Sequence, residues 1–306
     1  MKKRSPTNWA EIIPKEWISD KYPLVRFVLY SSSNKRDSIY VTSRMIAKAA
    51  SLISDYPVEV FHCETTDEFS YQSMSLSVIY SHDTPALVAN PISHTVPPGN
   101  YILFISPILA VEGGGTRELE TDNAILAARG LLCATLGGSI AHQRLAQFEV
   151  SAENPEKISA SSNTIVNYQS STNFIYFDSV SFQKLITALN MGTVLDENTS
   201  LSLSFIGRAY ENTDSSLKLF DLWSALETIM VGYKSVKKFI NNGHPGSIWQ
   251  KEMRYIQSAR NAMLHNGKRA ELSEAQERIL VATLVDLILT RAGIEDVSLR
   301  EFMTKS

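Results

Sequence analysis

Apolar residues are spaced differently in the two parts of the chain. Between residues 24 and 105 they come in short runs rich in β-branched and aromatic residues, a pattern typical of strands. We predict strands at residues 24–30, 58–61, 76–80 and 101–105. Helical spacing predicts helices at 41–53 and 120–146, the second weakened near Gly137-Gly138. The stretch 81–100 holds four prolines and is predicted to be a loop.

Residues 151–173 are rich in serine, asparagine and threonine, which indicates a loop or linker. A strand at 174–177 and a short helix at 181–189 are predicted to follow it. From Asp196 onward the pattern is purely helical. The predicted fold class is therefore α+β, with a mixed α/β region over 1–190 followed by an all-α bundle over 196–306.

Four helices are predicted in the C-terminal part, at residues 197–211, 215–232, 247–266 and 273–291. Ser215 is a candidate cap for the second helix. Ser273 and Gln276 have the spacing of a capping box at the start of the fourth. Asn266-Gly267 and Gly293 are expected to end the third and fourth helices.

The third of these helices carries the candidate chemistry. A helical wheel groups its apolar residues Trp249, Met253, Ile256, Met263 and Leu264 on one face. Arg260 falls within that face, where a charge is costly unless it is paired, and Glu227 on the preceding helix is the expected partner. Asn261 and His265 fall on the opposite side with Arg254 and Ser258. His265 would lie in the last turn, where the helix dipole favours a cation.

The net charge of −3 is distributed almost evenly. Residues 1–195 hold 15 basic and 18 acidic residues, and residues 196–306 hold 14 of each. Neither part is basic enough to bind nucleic acid through bulk electrostatics, so RNA would need local patches. The candidates are Lys234, Lys237 and Lys238 in one segment and Lys268 with Arg269 in another. The alternative for each patch is a solvated helix end.

Other protein classes receive no support from the sequence. No apolar stretch has the roughly 18 residues that span a bilayer, and no signal peptide is apparent, so a cytoplasmic location without membrane contact is predicted. The two cysteines, Cys63 and Cys133, lie far apart and have no metal-ligand spacing. No metal and no cofactor are expected.

The segment Arg260-Asn261-Ala262-Met263-Leu264-His265 resembles the RxxxxH motif of the HEPN superfamily of ribonucleases. The upstream sequence SLSLSFIGRAYENTDSSLKLFDLWSALETIM is similar to the paired helices of Apea-like HEPN domains, including the stretch that ends at Glu227. The resemblance covers the C-terminal third of the chain and does not extend to residues 1–190.

What this resemblance implies is metal-independent RNA cleavage, in which the 2′-hydroxyl attacks the adjacent phosphate. His265 would act as general base or acid, Arg260 would stabilise the charged phosphate, and Asn261 would orient it. Glu227 would orient the arginine. HEPN ribonucleases usually place two motifs across a dimer interface, so a homodimer is expected.

The remaining expectations concern partners. Arg254, Lys268 and Arg269 would contact RNA. Proteins with this resemblance often act as toxins or in defence against phage, and the N-terminal region would then bind a regulator or sense a trigger. The main alternative is a non-catalytic HEPN module that binds nucleotide or a partner protein, and another is a purely structural dimerisation domain. Arg260 would then be a structural salt bridge and His265 a helix cap.

Overall fold

The computed structural model describes residues 12–32, 56–65, 69–81, 84–96, 98–111, 115–136, 143–152, 158–162, 196–212 and 214–295. The protein is a mixed α and β structure, as the sequence predicts. Its strands are β1 (Leu24–Ser32), β2 (Glu59–Thr65), β3 (Phe69–Ser81), β4 (Thr84–Val96), β5 (Gly99–Val111), β6 (Gly115–Arg117), β7 (Gln143–Ser151) and β8 (Ile158–Ser162). Its α-helices are α1 (Glu118–Leu136), α2 (Glu197–Ala209), α3 (Ser215–Ile229), α4 (Tyr233–Asn241), α5 (Ile248–Asn266) and α6 (Glu274–Arg291).

The main sheet is antiparallel at every described strand pair and has the order β2-β5-β1-β7-β8, with β6 paired to the far end of β5. Strands β3 and β4 form a separate hairpin. The central strand β1 is buried on both faces, which explains its nearly continuous apolar sequence. Val28 and Tyr30 face the helices, and Phe27 and Leu29 face a second, smaller core.

Helix α1 connects the sheet to the helical bundle. At the sheet, the buried Arg26 of β1 pairs with Glu118 and Asp122 at the start of α1. On its other side α1 packs so closely on α2 that a Cβ added at Gly130 or Gly207 would overlap a backbone carbonyl of the facing helix. Glycine is therefore required at both positions, because any side chain would push the helices apart.

One apolar core runs through both predicted regions. It includes Val28 and Phe104 of the sheet, Leu131 of α1, Leu222 of α3 and Leu284 of α6. Contact between the sheet and the bundle is also polar, since the Tyr30 hydroxyl donates to the Glu211 carboxylate just after α2. The predicted division at 190–196 lies at the edge of the described residues, and the described parts on either side of it share this core.

Three sequence predictions in the first part of the chain are wrong, and the first two are the helix at 120–146 and the loop at 151–173. The helix expected at 120–146 ends at Leu136, directly before the Gly137-Gly138 pair, and strand β7 begins at Gln143. Alternating burial at Ala146, Phe148 and Val150 shows the period of two that a strand requires. The 151–173 loop likewise contains strand β8.

The third wrong prediction is the loop at 81–100, because most of this stretch forms strand β4. Pro85 and Pro91 lie six residues apart, so their nitrogens face the same edge of the strand. Within the described residues β4 pairs only with β3, and a proline without an N–H is tolerated at a strand's other edge.

Several predictions concern residues outside the described part of the chain, namely the helices at 41–53 and 181–189 and the strand at 174–177. None of the described helices combines the length and the apolar character needed to cross a membrane.

Candidate functional site

Helix α5 has well-defined ends, as the sequence predicts. Ser247 caps its first turn by accepting a hydrogen bond from the backbone N–H of Gln250. Gly267 ends it in the left-handed conformation, with φ 61°, and its N–H donates to the carbonyl of Met263. These caps place His265 in the final turn, close to the exposed carbonyls at the helix end.

Helix α3 lies antiparallel beside α5. Its cap is Asp214, whose carboxylate accepts from the backbone N–H groups of Ser216 and Leu217, so the predicted cap at Ser215 is wrong by one residue. At the other end of the contact Glu227 faces α5. The Ser216 hydroxyl donates to the carbonyl of Ala270, beyond the end of α5, and accepts from the N–H of the same residue. These two hydrogen bonds fix where α3 lies along α5.

The predicted pair between Arg260 and Glu227 is present. Nη2 of Arg260 donates to Oε1 of Glu227 at 2.8 Å, and the same oxygen accepts from Nε1 of Trp223 at 2.6 Å. The side chains of Arg260 and Glu227 are 15% and 24% exposed. The guanidinium lies 6.0 Å from the Trp223 ring and 5.4 Å from the Tyr233 ring, within reach of cation–π attraction. Glu227 and the two aromatic rings thus hold the Arg260 side chain, and a small part of that side chain remains in contact with solvent.

The helical wheel placed Asn261 on the side of α5 opposite its apolar face, but in the structure this side is not open at Asn261. Its Oδ1 accepts from Nη1 of Arg260 at 3.1 Å, and its Nδ2 donates to the Tyr233 hydroxyl at 3.3 Å. The reason is helix α4, which the sequence analysis missed and which packs against this side of α5. Its apolar residues Val236, Phe239 and Ile240 have helical spacing, and that was the signal that could have revealed it.

The turn between α3 and α4 is sterically unfavourable. Val231 has φ 58° and Gly232 has φ 104°. A β-branched residue at positive φ costs about 1–3 kcal/mol and persists only where the surrounding structure imposes it. The Val231 side chain is exposed, so burial does not offset this cost. The turn is held by a hydrogen bond from the N–H of Gly232 to the carbonyl of Glu227 at 2.7 Å.

His265 lies apart from the other predicted catalytic residues. It is exposed, and so is the neighbouring Leu264, at 45%, although the wheel placed Leu264 on the apolar face. On a helix of 3.6 residues per turn, positions five apart diverge by about 140°. Within one chain, the structure therefore brings together Arg260, Asn261 and Glu227 and leaves His265 on a different side of α5.

Charge is strongly segregated within the C-terminal region. Residues 231–270 hold eight basic residues and one acidic residue, whereas the flanking stretches 196–230 and 271–306 hold six basic and 13 acidic residues together. The even balance of the whole region hides this segregation. The basic residues include the exposed side chains of Lys234, Lys237, Lys238, Arg254, Lys268 and Arg269. The structure thus places the predicted RNA-binding residues on one basic segment, formed by α4, α5 and the turn after α5.

One acidic side chain near the contact between α2 and α3 is buried. Asp221 accepts from Nε of Arg208 at 2.8 Å and from Nδ2 of Asn212 at 2.5 Å. Burial nevertheless raises the pKa of the Asp221 carboxyl, because it disfavours the charged form more than these contacts favour it.

Among the described residues, no group of three or more histidine, cysteine, aspartate or glutamate side chains is arranged to hold a metal ion. Comparison with known proteins gave no match to a family model, a curated protein or a solved structure.

Proposed function

We propose that the C-terminal helices form a HEPN-type bundle that follows the mixed α/β region and cleaves RNA without a metal ion. The observation that carries this proposal is the state of Arg260. Its guanidinium is held by Glu227 and Asn261, and 15% of the side chain is exposed. Two N–H groups make these contacts, and an arginine has five to offer. A prearranged, partly open guanidinium suits the binding of a phosphate whose charge grows in the transition state.

His265 supplies the proton-transfer group in this proposal. Histidine is the side chain best suited to accept and donate protons near neutral pH. It is exposed at the end of α5, where a substrate can reach it. The imidazole of His265 would remove the proton of the attacking 2′-hydroxyl and, once protonated, would give a proton to the leaving 5′-oxygen. No metal ion is required for either step.

The basic segment supports RNA as the ligand. Phosphate contacts dominate the affinity of proteins for nucleic acids, and eight basic residues over 231–270 supply them. Arg254 lies on the α5 side of this segment, and Lys268 and Arg269 follow directly after His265's turn. RNA bound along the segment would pass over the Arg260 site.

A homodimer would complete the site. Arg260 and His265 of one chain diverge around α5, so a second copy is needed to place a histidine opposite an arginine. The exposed apolar residues Leu217 and Phe220 of α3 and Leu264 of α5 lie on the helices that carry the site. They would form the contact between the two copies. Sedimentation should detect this dimer at micromolar concentration, and a fully active monomer would contradict it.

The cellular role follows from the chemistry and stays part of the proposal. A nuclease of this type would act in the cytoplasm as a toxin or an anti-phage effector. The α/β region would then bind the trigger or regulator, since it shares a core with the catalytic helices and can transmit a change to them.

The test is incubation of the purified protein with tRNA in EDTA, followed by analysis of the product ends. We expect 2′,3′-cyclic phosphate or its opened product. His265→Ala should abolish cleavage, whereas His244→Ala, which removes another exposed histidine from the same basic segment, should not. Cleavage that disappears on chelation and returns with magnesium would refute the mechanism.

The second candidate is a non-catalytic module that binds nucleotide or a partner protein. The separation of His265 from Arg260 within one chain favours it. Under this alternative His265→Ala would leave RNA or nucleotide binding unchanged and no cleavage would be found, while Arg260→Ala would weaken binding.

A further inference from the structure

Tyr233, on α4, contacts three residues of α5, two of which belong to the candidate site. Its hydroxyl accepts hydrogen bonds from Nε2 of Gln257 at 3.2 Å and from Nδ2 of Asn261 at 3.3 Å, and its ring lies 5.4 Å from the guanidinium of Arg260. The motif segment on α5 does not include it. Among the described residues of α4, Tyr233 alone accepts a hydrogen bond from Asn261 or contacts Arg260 through its ring.

The hydroxyl anchors the Asn261 amide at its Nδ2 end. A tyrosine oxygen that accepts from Nδ2 requires the NH₂ end of the amide to face α4. The carbonyl end, Oδ1, then faces Arg260 and accepts from its Nη1 at 3.1 Å. If the amide rotated by half a turn, two N–H donors would meet at Arg260. Arg260, which can only donate, therefore sets the direction of the Asn261 amide, and the hydroxyl of Tyr233 anchors its Nδ2 end.

The ring of Tyr233 also contacts the guanidinium. Trp223 and Tyr233 both lie within cation–π distance of it, and Glu227 holds Nη2. Because these contacts restrain the arginine before a ligand binds, less conformational freedom is lost on binding. Tyr233 thus contacts Arg260 directly through its ring and indirectly through Asn261.

The chain adopts an unfavourable turn to place Tyr233 there. Val231 and Gly232 both have positive φ, and Tyr233 is the first residue of α4 immediately after them. Backbone strain of this kind persists where the surrounding structure fixes a particular geometry. Here the geometry that results is the contact of Tyr233 with α5.

We infer that Tyr233 is a positioning residue that holds Arg260 and Asn261 in place for a bound RNA phosphate. The inference rests on the proposed function for the identity of the ligand. The tyrosine acts through the two α5 side chains and takes no proton itself.

The test compares Tyr233→Phe with Tyr255→Phe. The first removes the hydroxyl and keeps the ring, and the second removes the hydroxyl of an exposed tyrosine on α5. We expect Tyr233→Phe to lower kcat on tRNA by about tenfold with a small change in KM, since one ordering hydrogen-bond network is lost. Tyr255→Phe should match the wild type, and both variants should melt close to it.

A double variant of Tyr233 and Asn261 distinguishes a positioning role of Tyr233 from a general structural one. In an Asn261→Ala background, Tyr233→Phe should lower kcat little further, because the residue through which the hydroxyl acts is absent. Fully additive losses in the double variant, or wild-type cleavage by Tyr233→Phe, would overturn the inference.

A second readout does not depend on cleavage. In isotope-labelled protein the side-chain Nε–H resonance of Arg260, identified by its loss in Arg260→Lys, should shift in Tyr233→Phe and not in Tyr255→Phe. An unshifted resonance overturns the inference even if the protein cleaves RNA. A shifted resonance in a protein that cleaves no RNA supports the positioning of Arg260 and refutes the proposed function instead.

Discussion

Two helix contacts in this protein each contain an arginine, and they use it differently. Where α1 meets α2, Arg129 is fully buried, lies against the Tyr30 ring and donates to the backbone carbonyls of Gly207 and Tyr210. Where α3 meets α5, Arg260 donates to the Glu227 carboxylate and remains partly exposed. The enclosed arginine completes the packing of a helix end. The open arginine has two of its N–H groups in hydrogen bonds and keeps part of its side chain in contact with solvent.

We call the contact between α1 and α2 the enclosed contact and that between α3 and α5 the open contact. Substituting a glycine of the enclosed contact should give the largest loss of stability. In Gly130→Ala the new methyl group would overlap the carbonyl oxygen of Leu203, a backbone atom that can move only if helix α2 shifts. Helix propensity alone would make alanine more stable by about 1 kcal/mol. We nevertheless expect a loss of about 3 kcal/mol or more in the free energy of unfolding. Ser258→Ala on the exposed side of α5 should change it by less than about 0.5 kcal/mol.

Denaturant titration of both variants measures this difference. A Gly130→Ala protein as stable as the wild type would mean that α1 and α2 are not in close backbone contact. The enclosed contact would then be no tighter than the open one.

The second-largest loss of stability is expected at Arg129, the arginine of the enclosed contact. Arg129→Met removes the donors to the carbonyls of Gly207 and Tyr210 and leaves them buried. Unsatisfied buried polar groups cost about 1–3 kcal/mol, so we expect a loss near 3 kcal/mol. The matched change Arg254→Met, at an exposed position of α5, should have little effect on stability. Equal melting temperatures for the two variants would contradict the structural role of Arg129.

The open contact predicts a smaller loss of stability. Arg260→Met leaves the Glu227 carboxylate without its ion pair, but this carboxylate keeps some contact with water. We expect a cost of about 2 kcal/mol, below the 3–5 kcal/mol typical of a fully buried pair that loses one partner. Glu227→Gln should restore part of that loss when it is added to Arg260→Met, because no unpaired charge then remains. A double variant less stable than Arg260→Met would show that the ion pair is not the source of the effect.

The sequence predicted the open contact better than the enclosed one, for a physical reason. Caps such as Ser273 with Gln276 and the stop at Gly267 are local, and the structure confirms both. The pairing of Arg260 with Glu227 could be predicted because a charge on an apolar face needs a nearby countercharge. Gly130 and Gly207 looked like ordinary helix residues, since close approach depends on two distant segments.

Two features of the site were not predicted, and here the reason is local. Helix α4 has only nine residues, and the pattern of α3 continued across Val231 without a visible break. Positive φ at a valine cannot be predicted from its side chain, which disfavours it. Without α4 there was no Tyr233 to contact, so Asn261 was expected on an open face.

Asp221, on the α2 side of α3, gives a smaller effect that depends on pH. Burial raises the pKa of its carboxyl in the folded state above the value of about 3.8 in the unfolded chain. Between these two values the folded state binds more protons, so the free energy of unfolding rises as the pH falls through the folded-state pKa. Asp221→Asn does not titrate there. The stability of the wild type relative to this variant should therefore increase on acidification, and a constant difference in urea midpoints between pH 7 and pH 4 would contradict the raised pKa.

His265 should give the smallest effect on stability and the largest ratio of functional to structural effect. It is exposed in the last turn of α5, and no described hydrogen bond or ion pair depends on its side chain. We expect His265→Ala to change the free energy of unfolding by less than about 0.5 kcal/mol. If the open contact is a catalytic site, the same substitution should abolish RNA cleavage, because His265 is the one histidine of α5 and histidine is the side chain best suited to proton transfer near neutral pH. Both measurements should use one preparation, so that loss of activity cannot be attributed to unfolding. A stable variant that still cleaves RNA at the wild-type rate would make Arg260 a structural arginine like Arg129, and the difference between the two contacts would then be one of exposure alone.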